Sequence, residues 1–247
     1  MVVVSHGITD PGCVRTTNED RILADDAGRL YVVCDGIGGR RRGEVAAEVA
    51  VHTIQQYIAS SADPTEVTWP FGFNARISFA ANRLLTAIRL ANRQVWRRSE
   101  ESMESLGMGT TITAMLIDGH SAAIANIGDS RTYCFRDGRL AQLTTDDTAV
   151  LNLPSGDASS GTTARRILTS AVGSQEDVEV HLRDELLHAG DVLLLCSDGL
   201  HSAIADEQIA ALLARQEAAP SVAGALIEAA RAANASDNVS VIVLQCR

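Results

Sequence analysis

Acidic side chains sit in this chain where apolar runs end in turns. Asp35 follows Val32-Val33-Cys34, Asp129 follows the run Ile124 to Gly128, Asp198 follows Leu193 to Ser197, and Asp237 immediately precedes the run Val239 to Leu244. The end of a strand holds a side chain rigidly while leaving it open to solvent, which is what a hard divalent cation requires of its ligands. Oxygen donors without clustered His or Cys favour magnesium or manganese over zinc. The six histidines are scattered and show no ligand spacing. An isolated Asp-Gly is more often an ordinary turn former, and Asp118-Gly119 and Asp137-Gly138 keep that reading.

The elements that must position these residues are legible in outline. Arg29 to Cys34 reads as a strand running into the glycine cluster Asp35 to Gly39, after which Glu44 to Ala59 carries apolar residues at helical spacing. Ile77 to Trp96 repeats the helical pattern, and the two helices are expected to pack side by side. Between Thr110 and Leu143, three or four β-type runs broken by the two Asp-Gly pairs predict an antiparallel meander. Asp146 to Thr163 is rich in Ser, Thr, Gly and Asp and reads as a mobile loop. Val192 to Cys196 and Val239 to Leu244 are buried-strand candidates, with helices expected at about Asp206 to Gln216 and Ser221 to Ala233. Hairpins and long helices in separate blocks predict an antiparallel sheet structure covered by helices, not a doubly wound parallel sheet.

Composition narrows the function classes. All 21 basic residues are arginine, and the chain contains no lysine. A Walker loop, a protein kinase and a Schiff-base enzyme each need a lysine, so none of these fits. With 31 acidic residues the net charge is -10, which disfavours a nucleic-acid binder held by phosphate contacts. Five scattered cysteines without C-x-x-C spacing argue against a disulfide framework or a zinc knuckle. No apolar run approaches the roughly 20 residues of a membrane span, and Met1 to Asp10 does not read as a signal peptide. A cytoplasmic location, with no membrane partner, is the default expectation.

Seven motifs occur in an order that resembles the type 2C metal-dependent protein phosphatases, in particular compact bacterial members. They are Gly12 to Asp20 (GCVRTTNED), Val33 to Gly39 with Gly43-Glu44, Gly109-Thr110-Thr111, and Gly128-Asp129-Ser130-Arg131. Leu143-Thr144 with Asp146, Gly190-Asp191 through Cys196 to Leu200, and Ser236 to Val239 complete the series. The resemblance implies an α+β fold, a central sandwich of two antiparallel β-sheets flanked by α-helices, in one phosphatase domain over residues 1–247. It also implies two divalent cations, Mn2+ or Mg2+, bridged by Asp35. Asp198 and Asp237 would complete one, and Glu19 with the Gly36 carbonyl the other. Asp20 would hold metal-bound water, Asp129 with Asp198 would serve the family's frequent third cation, and Arg15 would bind phosphate. Two cations about 3.5–4 Å apart can generate a hydroxide, aim it at phosphorus and stabilise the equatorial oxygens, while an arginine fork grips two of them. The implied reaction is single-step hydrolysis of phosphoserine or phosphothreonine by a metal-bridging hydroxide, on phosphorylated proteins served by a cognate serine/threonine kinase.

The chain departs from the family's patterns in places. Where many eukaryotic relatives carry a histidine after Asp-Gly, this chain has Ile37, so the leaving-group proton is expected from water. Arg40 and Asp147-Thr148 stand where bacterial members usually have His and His-Ser. The segment at about 146–166 occupies the family's flap position and is expected to influence substrate choice. Arg40 to Arg42 reads as a solvated surface run more readily than as a phosphate collector.

Two other chemistries have partial signals in the same glycine-rich segment. Cys34 to Arg40 has the C-x5-R spacing of cysteine-dependent phosphatases, but Asp35 would put a negative charge in a loop meant to cradle a dianion. A dinucleotide-binding glycine pattern fails because Arg41 stands where its third glycine belongs. A non-catalytic binding module that keeps the fold is the remaining alternative.

Overall fold

The computed structural model describes residues 1–38, 42–154 and 162–247. Two five-stranded antiparallel sheets form its centre, beside a short antiparallel pair of β4 (Gly36–Ile37) and β5 (Gly109–Thr110). The first has the order β1 (Val3–Asp10), β14 (Val239–Cys246), β13 (Val192–Cys196), β8 (Arg131–Arg136), β9 (Arg139–Gln142). The second has the order β12 (His181–Leu186), β7 (Ser121–Ile127), β6 (Ile112–Asp118), β3 (Leu30–Cys34), β2 (Arg21–Asp25). Helices α1 (Gly43–Ser60) and α2 (Phe79–Glu100) cover the second sheet, and α3 (Asp198–His201), α4 (Asp206–Leu213) and α5 (Ala219–Ala232) cover the first. The α+β sandwich expected from the sequence is the fold observed.

Side-chain alternation builds the four layers. In β3, Tyr31 and Val33 join the core between the sheets, while Leu30, Val32 and Cys34 pack against α1 and α2. In β13, Leu193 and Leu195 point to the other sheet, and Leu194 and Cys196 to the helices. Both faces are covered, so these strands read as unbroken apolar runs. Each large side chain buried this way contributes about 1.5–3 kcal/mol. The face between α1 and the second sheet is lined by Ala46, Ala47 and Ala50, and that of α2 by Ala80, Ala81, Ala87 and Ala91. Small residues there let the layers approach closely. Ser78 starts α2 as a side-chain cap, accepting from the Ala81 N–H at 3.0 Å.

The expected meander is corrected. β6 and β7 are hairpin partners, as are β8 and β9, but β7 and β8 lie in different sheets. The chain crosses between them at Gly128 to Ser130. Gly128 has φ +96°, and a Cβ there would lie 2.7 Å from the Thr111 side chain, so only glycine fits the crossing. The two Asp-Gly pairs also turn differently. Asp137 and Gly138, both at positive φ, are the two central residues of one hairpin, whereas Gly119 and His120 are those of the other.

The expected loop from Asp146 to Thr163 is partly strand. β10 (Thr148–Pro154) and β11 (Thr162–Leu168) pair antiparallel as a separate two-stranded ribbon. The Ser, Gly and Asp residues that dominated that reading fall at 155–161, outside the described residues. Among the described residues, no helix is long and apolar enough to cross a membrane.

Candidate active site

A cleft of about 500 Å³ opens at one end of the sandwich, where strand ends of both sheets meet. Arg15, Glu19, Asp35, Gly36, Asp129, Asp198 and Asp237 all line it. Asp20, the remaining residue expected at the site, lies beneath its floor and is 1% exposed.

Backbone contacts fix each position. Asp35 leaves β3 and is clasped by the next strand over: its N–H donates to Thr111 Oγ1 at 3.1 Å, and its carbonyl accepts from Thr111 N and Thr110 Oγ1, both at 2.8 Å. Thr111 Oγ1 also lies 2.7 Å from Ser130 Oγ, beside Asp129. Gly36 and Gly43 permit a close approach. A Cβ on Gly36 would sit 2.4 Å from the Gly43 carbonyl oxygen, and one on Gly43 would sit 2.7 Å from Glu19 Oε2 and 2.8 Å from the Gly36 carbonyl oxygen. The start of α1 is thereby packed where the Glu19 carboxylate and the Gly36 carbonyl share one space.

On the other side, Asp198 opens α3 directly after β13. A Cβ on Gly199 would lie 2.0 Å from the Asn238 carbonyl oxygen, so glycine lets α3 rest on the Asp237-Asn238 turn. Asn238 then staples the segment before β2 to that turn. Its Nδ2 donates to the Pro11 and Thr17 carbonyls at 3.0 and 2.9 Å, and its Oδ1 accepts from Glu19 N at 2.9 Å. Asp20 Oδ2 accepts from Ser197 Oγ and Ser240 Oγ at 2.8 and 2.7 Å.

The electrostatics are those of crowded acids. Burial first, then the charges of Asp20, Asp198 and Asp237, push Asp35 well above the usual carboxylate range. Burial, then Asp129 and Asp237, raises Asp198 to about 7. Burial raises Asp20 to about 6 against the two serine hydroxyls that hold its charged form. Arg15 faces them, its Nη2 donating to Asp237 Oδ2 at 2.8 Å and its guanidinium held above its ordinary value by that bond. Among the described residues, no three His, Cys, Asp or Glu side chains are drawn into a closed ligand set. The donor chemistry nevertheless fits divalent cations. Every candidate ligand is an oxygen, and among the described residues the buried Oδ1 atoms of Asp20 and Asp198 find no hydrogen-bond partner.

The sequence reveals the supporting residues only in part. Thr110, Thr111 and Asn238 lie inside recognised motifs but had no assigned contact, and the pairing of Ser197 with Ser240 depends on the β13–β14 register. His201, one turn after Asp198, carries its Nε2 3.0 Å from the Asp129 carbonyl oxygen. Burial, then Arg131, lowers its imidazole to about 4, so it sits neutral. The cysteine chemistry has no footing. Cys34 is fully buried against the helices, and burial drives its thiol far up. Arg40 and Arg41 lie outside the described residues, and Arg42 pairs with Glu104 at 2.5 Å.

Comparison with known proteins places the chain in a family. The family model of protein phosphatase 2C matches residues 14–238. The serine/threonine protein phosphatase PstP of Mycobacterium tuberculosis is 35% identical over 241 residues, covering 95% of this chain and 43% of that protein. This chain thus spans less than half the length of that relative. The serine/threonine phosphatase stp of Listeria welshimeri is 30% identical over 250 residues, covering 96% of this chain and 93% of its own. A solved structure of the PstP catalytic domain in complex with two manganese ions superposes with a TM-score of 0.78 at 31% identity, covering 99% of this chain and 98% of that one. The chain belongs to the protein phosphatase 2C family.

Proposed function

We propose that this protein is a manganese- or magnesium-dependent serine/threonine protein phosphatase. It hydrolyses phosphoserine and phosphothreonine on protein substrates in a single step and opposes serine/threonine kinases, a cognate kinase or its targets among them. Residues 1–247 act as one phosphatase domain, with the β10–β11 ribbon as its flap. The observation that carries this reading is the convergence of five carboxylates and Arg15 on one cleft, with the buried Asp198 Oδ1 lacking a partner among the described residues.

Asp35 would serve two cations, with Asp198 and Asp237 holding one and Glu19 with the Gly36 carbonyl holding the other. Asp129 with Asp198 would hold a third. When bound, the cations neutralise the carboxylates, acidify water into a nucleophile and act as Lewis acids on the phosphoryl oxygens. The chain's own contribution is positioning. Thr110 and Thr111 fix the Asp35 backbone, and Asn238 holds the Glu19 segment to the Asp237 turn. Asp20, anchored through Oδ2 by two hydroxyls, keeps Oδ1 available to orient water at the floor. Arg15, half exposed at the rim, turns from Asp237 to fork two phosphoryl oxygens. Ile37 lines the cleft and has no proton to give, so the leaving alkoxide takes its proton from water.

The test is a phosphatase assay on a phosphothreonine peptide and a generic aryl phosphate, with and without manganese, for wild type, Asp198→Asn and Cys34→Ser. The expected result is manganese-dependent turnover that Asp198→Asn abolishes and Cys34→Ser preserves. Turnover that survives chelation but is lost in Cys34→Ser would overturn the proposal. A manganese-loaded protein inert towards both substrates would instead mark a binding module that keeps the fold.

A further inference from the structure

Asp147 sits at the base of the β10–β11 ribbon, immediately before β10. Asp147 engages all four of its polar groups: its N–H donates to the Gly128 carbonyl at 3.0 Å, and its own carbonyl accepts from Thr169 N at 2.8 Å. Its Oδ2 accepts from Gly128 N at 2.9 Å, and its Oδ1 lies 2.8 Å from His181 Nε2 on β12. The Gly128 carbonyl is held from a second side by Nδ2 of the buried Asn126, at 3.0 Å, and the same Nδ2 reaches the Thr145 carbonyl at 3.2 Å. Among the described residues, the ribbon's strands pair with each other and with no other strand. Arg131 of β8 forks the adjacent Asp146 at 2.7 and 2.9 Å and Asn126 holds the Thr145 carbonyl, so Asp147 shares the base with these ties and differs in reaching both the Gly128 N–H and His181 through its side chain.

Closing a strand pair needs only the bond between Thr169 and Asp147. The other three contacts reach elsewhere, to the crossing between the sheets and to the edge strand β12. Gly128 at the crossing packs on Thr111, whose hydroxyl accepts from Asp35 N. The residue after Gly128 is Asp129, and the last residue of β11 is Leu168; both line the cleft. Asp147 therefore lies between the ribbon and the cleft wall, and a tilt about the Asp147–Thr169 pair carries Leu168 along that wall.

We infer that Asp147, oriented by His181, is a positioning residue that fixes the angle of the ribbon to the cleft and so sets which phosphoprotein chains reach it. The substrate half of this inference rests on the phosphatase reading, while the hinge half stands on geometry alone. A folded or extended protein chain bearing the phosphoester has to pass the ribbon, and a small aryl phosphate does not.

The test uses the full chain with Asp147→Ala, Asp147→Asn, His181→Gln and the Asp147→Ala/His181→Gln double variant. Amide hydrogen exchange is measured at Gly128, Thr169 and along the ribbon. Activity is read as the ratio of kcat/KM on a phosphothreonine protein to kcat/KM on para-nitrophenyl phosphate, with manganese. Asp147→Ala orphans a buried N–H, so exchange at Gly128 and Thr169 is expected to rise about tenfold or more, and the substrate ratio to fall about tenfold. Asp147→Asn keeps one acceptor and is expected to restore most of the ratio. His181→Gln falls between, and adds nothing once Asp147 is alanine, because the pair acts as a unit. Unchanged exchange in Asp147→Ala overturns the hinge. Faster exchange with an unchanged ratio overturns the positioning role and leaves only a strand closure. A wild type with no manganese-dependent hydrolysis of either substrate sinks the phosphatase reading, and exchange alone then decides the hinge.

Discussion

Replacing Asp198 with asparagine separates what the crowded cleft costs in stability from what it does in chemistry. Without a cation, burial and the charges of Asp129 and Asp237 raise this carboxyl from 3.8 to about 7. An acid with a raised pKa in the folded state binds its proton more tightly there than in the unfolded chain. Its contribution to stability is therefore complete below about pH 4 and is lost as the pH climbs to about 7. Three pH units at 1.36 kcal/mol each come to about 4 kcal/mol, or up to roughly 8–16 °C in Tm for a chain of this size. The amide of Asp198→Asn has no charge to desolvate. In chelator at about pH 8 the variant is expected to melt above wild type by up to that amount, and the two should converge near pH 4. With manganese the order reverses: wild type gains RT ln(1 + [M]/Kd), the variant gains much less, and hydrolysis is lost only in the variant. Scanning calorimetry across that pH range, with and without manganese, reads all of this. Equal Tm values at pH 8 in chelator, or equal gains from manganese, would refute the reasoning.

Other outcomes follow from single contacts. Gly36→Ala pushes a Cβ to within 2.4 Å of the Gly43 carbonyl; it should cost about 1–3 kcal/mol in a thermal melt and weaken manganese binding by calorimetric titration. His201 is neutral in the fold, with its imidazole lowered to about 4. Its contribution is complete above pH 6.5 and lost as the pH falls towards 4, about 3 kcal/mol in all, and His201→Gln should flatten that part of a urea-denaturation pH profile. Arg131→Ala removes a fork that reaches Asp146 at 2.7 and 2.9 Å with both side chains largely buried. A loss of about 3–5 kcal/mol, read as a lower urea midpoint at unchanged slope, is expected. Arg15→Ala should raise KM for a phosphopeptide while shifting Tm little, because a half-exposed ion pair contributes about 1 kcal/mol or less.

The sequence disclosed what burial and turn chemistry write into it. β3, β13 and β14 announced themselves as apolar runs because both of their faces are covered, and α1 and α2 through the spacing of their buried stripes. Edge strands were less visible. β12, with the sequence HLRDEL, is polar and mostly exposed, and β1 is half-buried along most of its length. The meander failed at Gly128 because alternation within β7 and β8 is blind to which sheet each strand joins. The strand-end acids were legible individually and through their motifs. What no spacing could reveal was how they are held: the Ser197 and Ser240 hydroxyls on Asp20, the Asn238 staple and the Asp147–His181 contact all join residues distant in the chain.

The isolation of the β10–β11 ribbon makes it an exchangeable module. Its two ends meet at Asp147 and Thr169, and neither strand lends an edge to the sandwich. The cost of changing the length between such fixed ends grows only logarithmically, about 0.6 kcal/mol for each doubling. A ribbon of different length or charge can therefore be grafted between those two residues with the sandwich and its carboxylates left in register. Specificity could then be re-engineered there independently of the reaction centre.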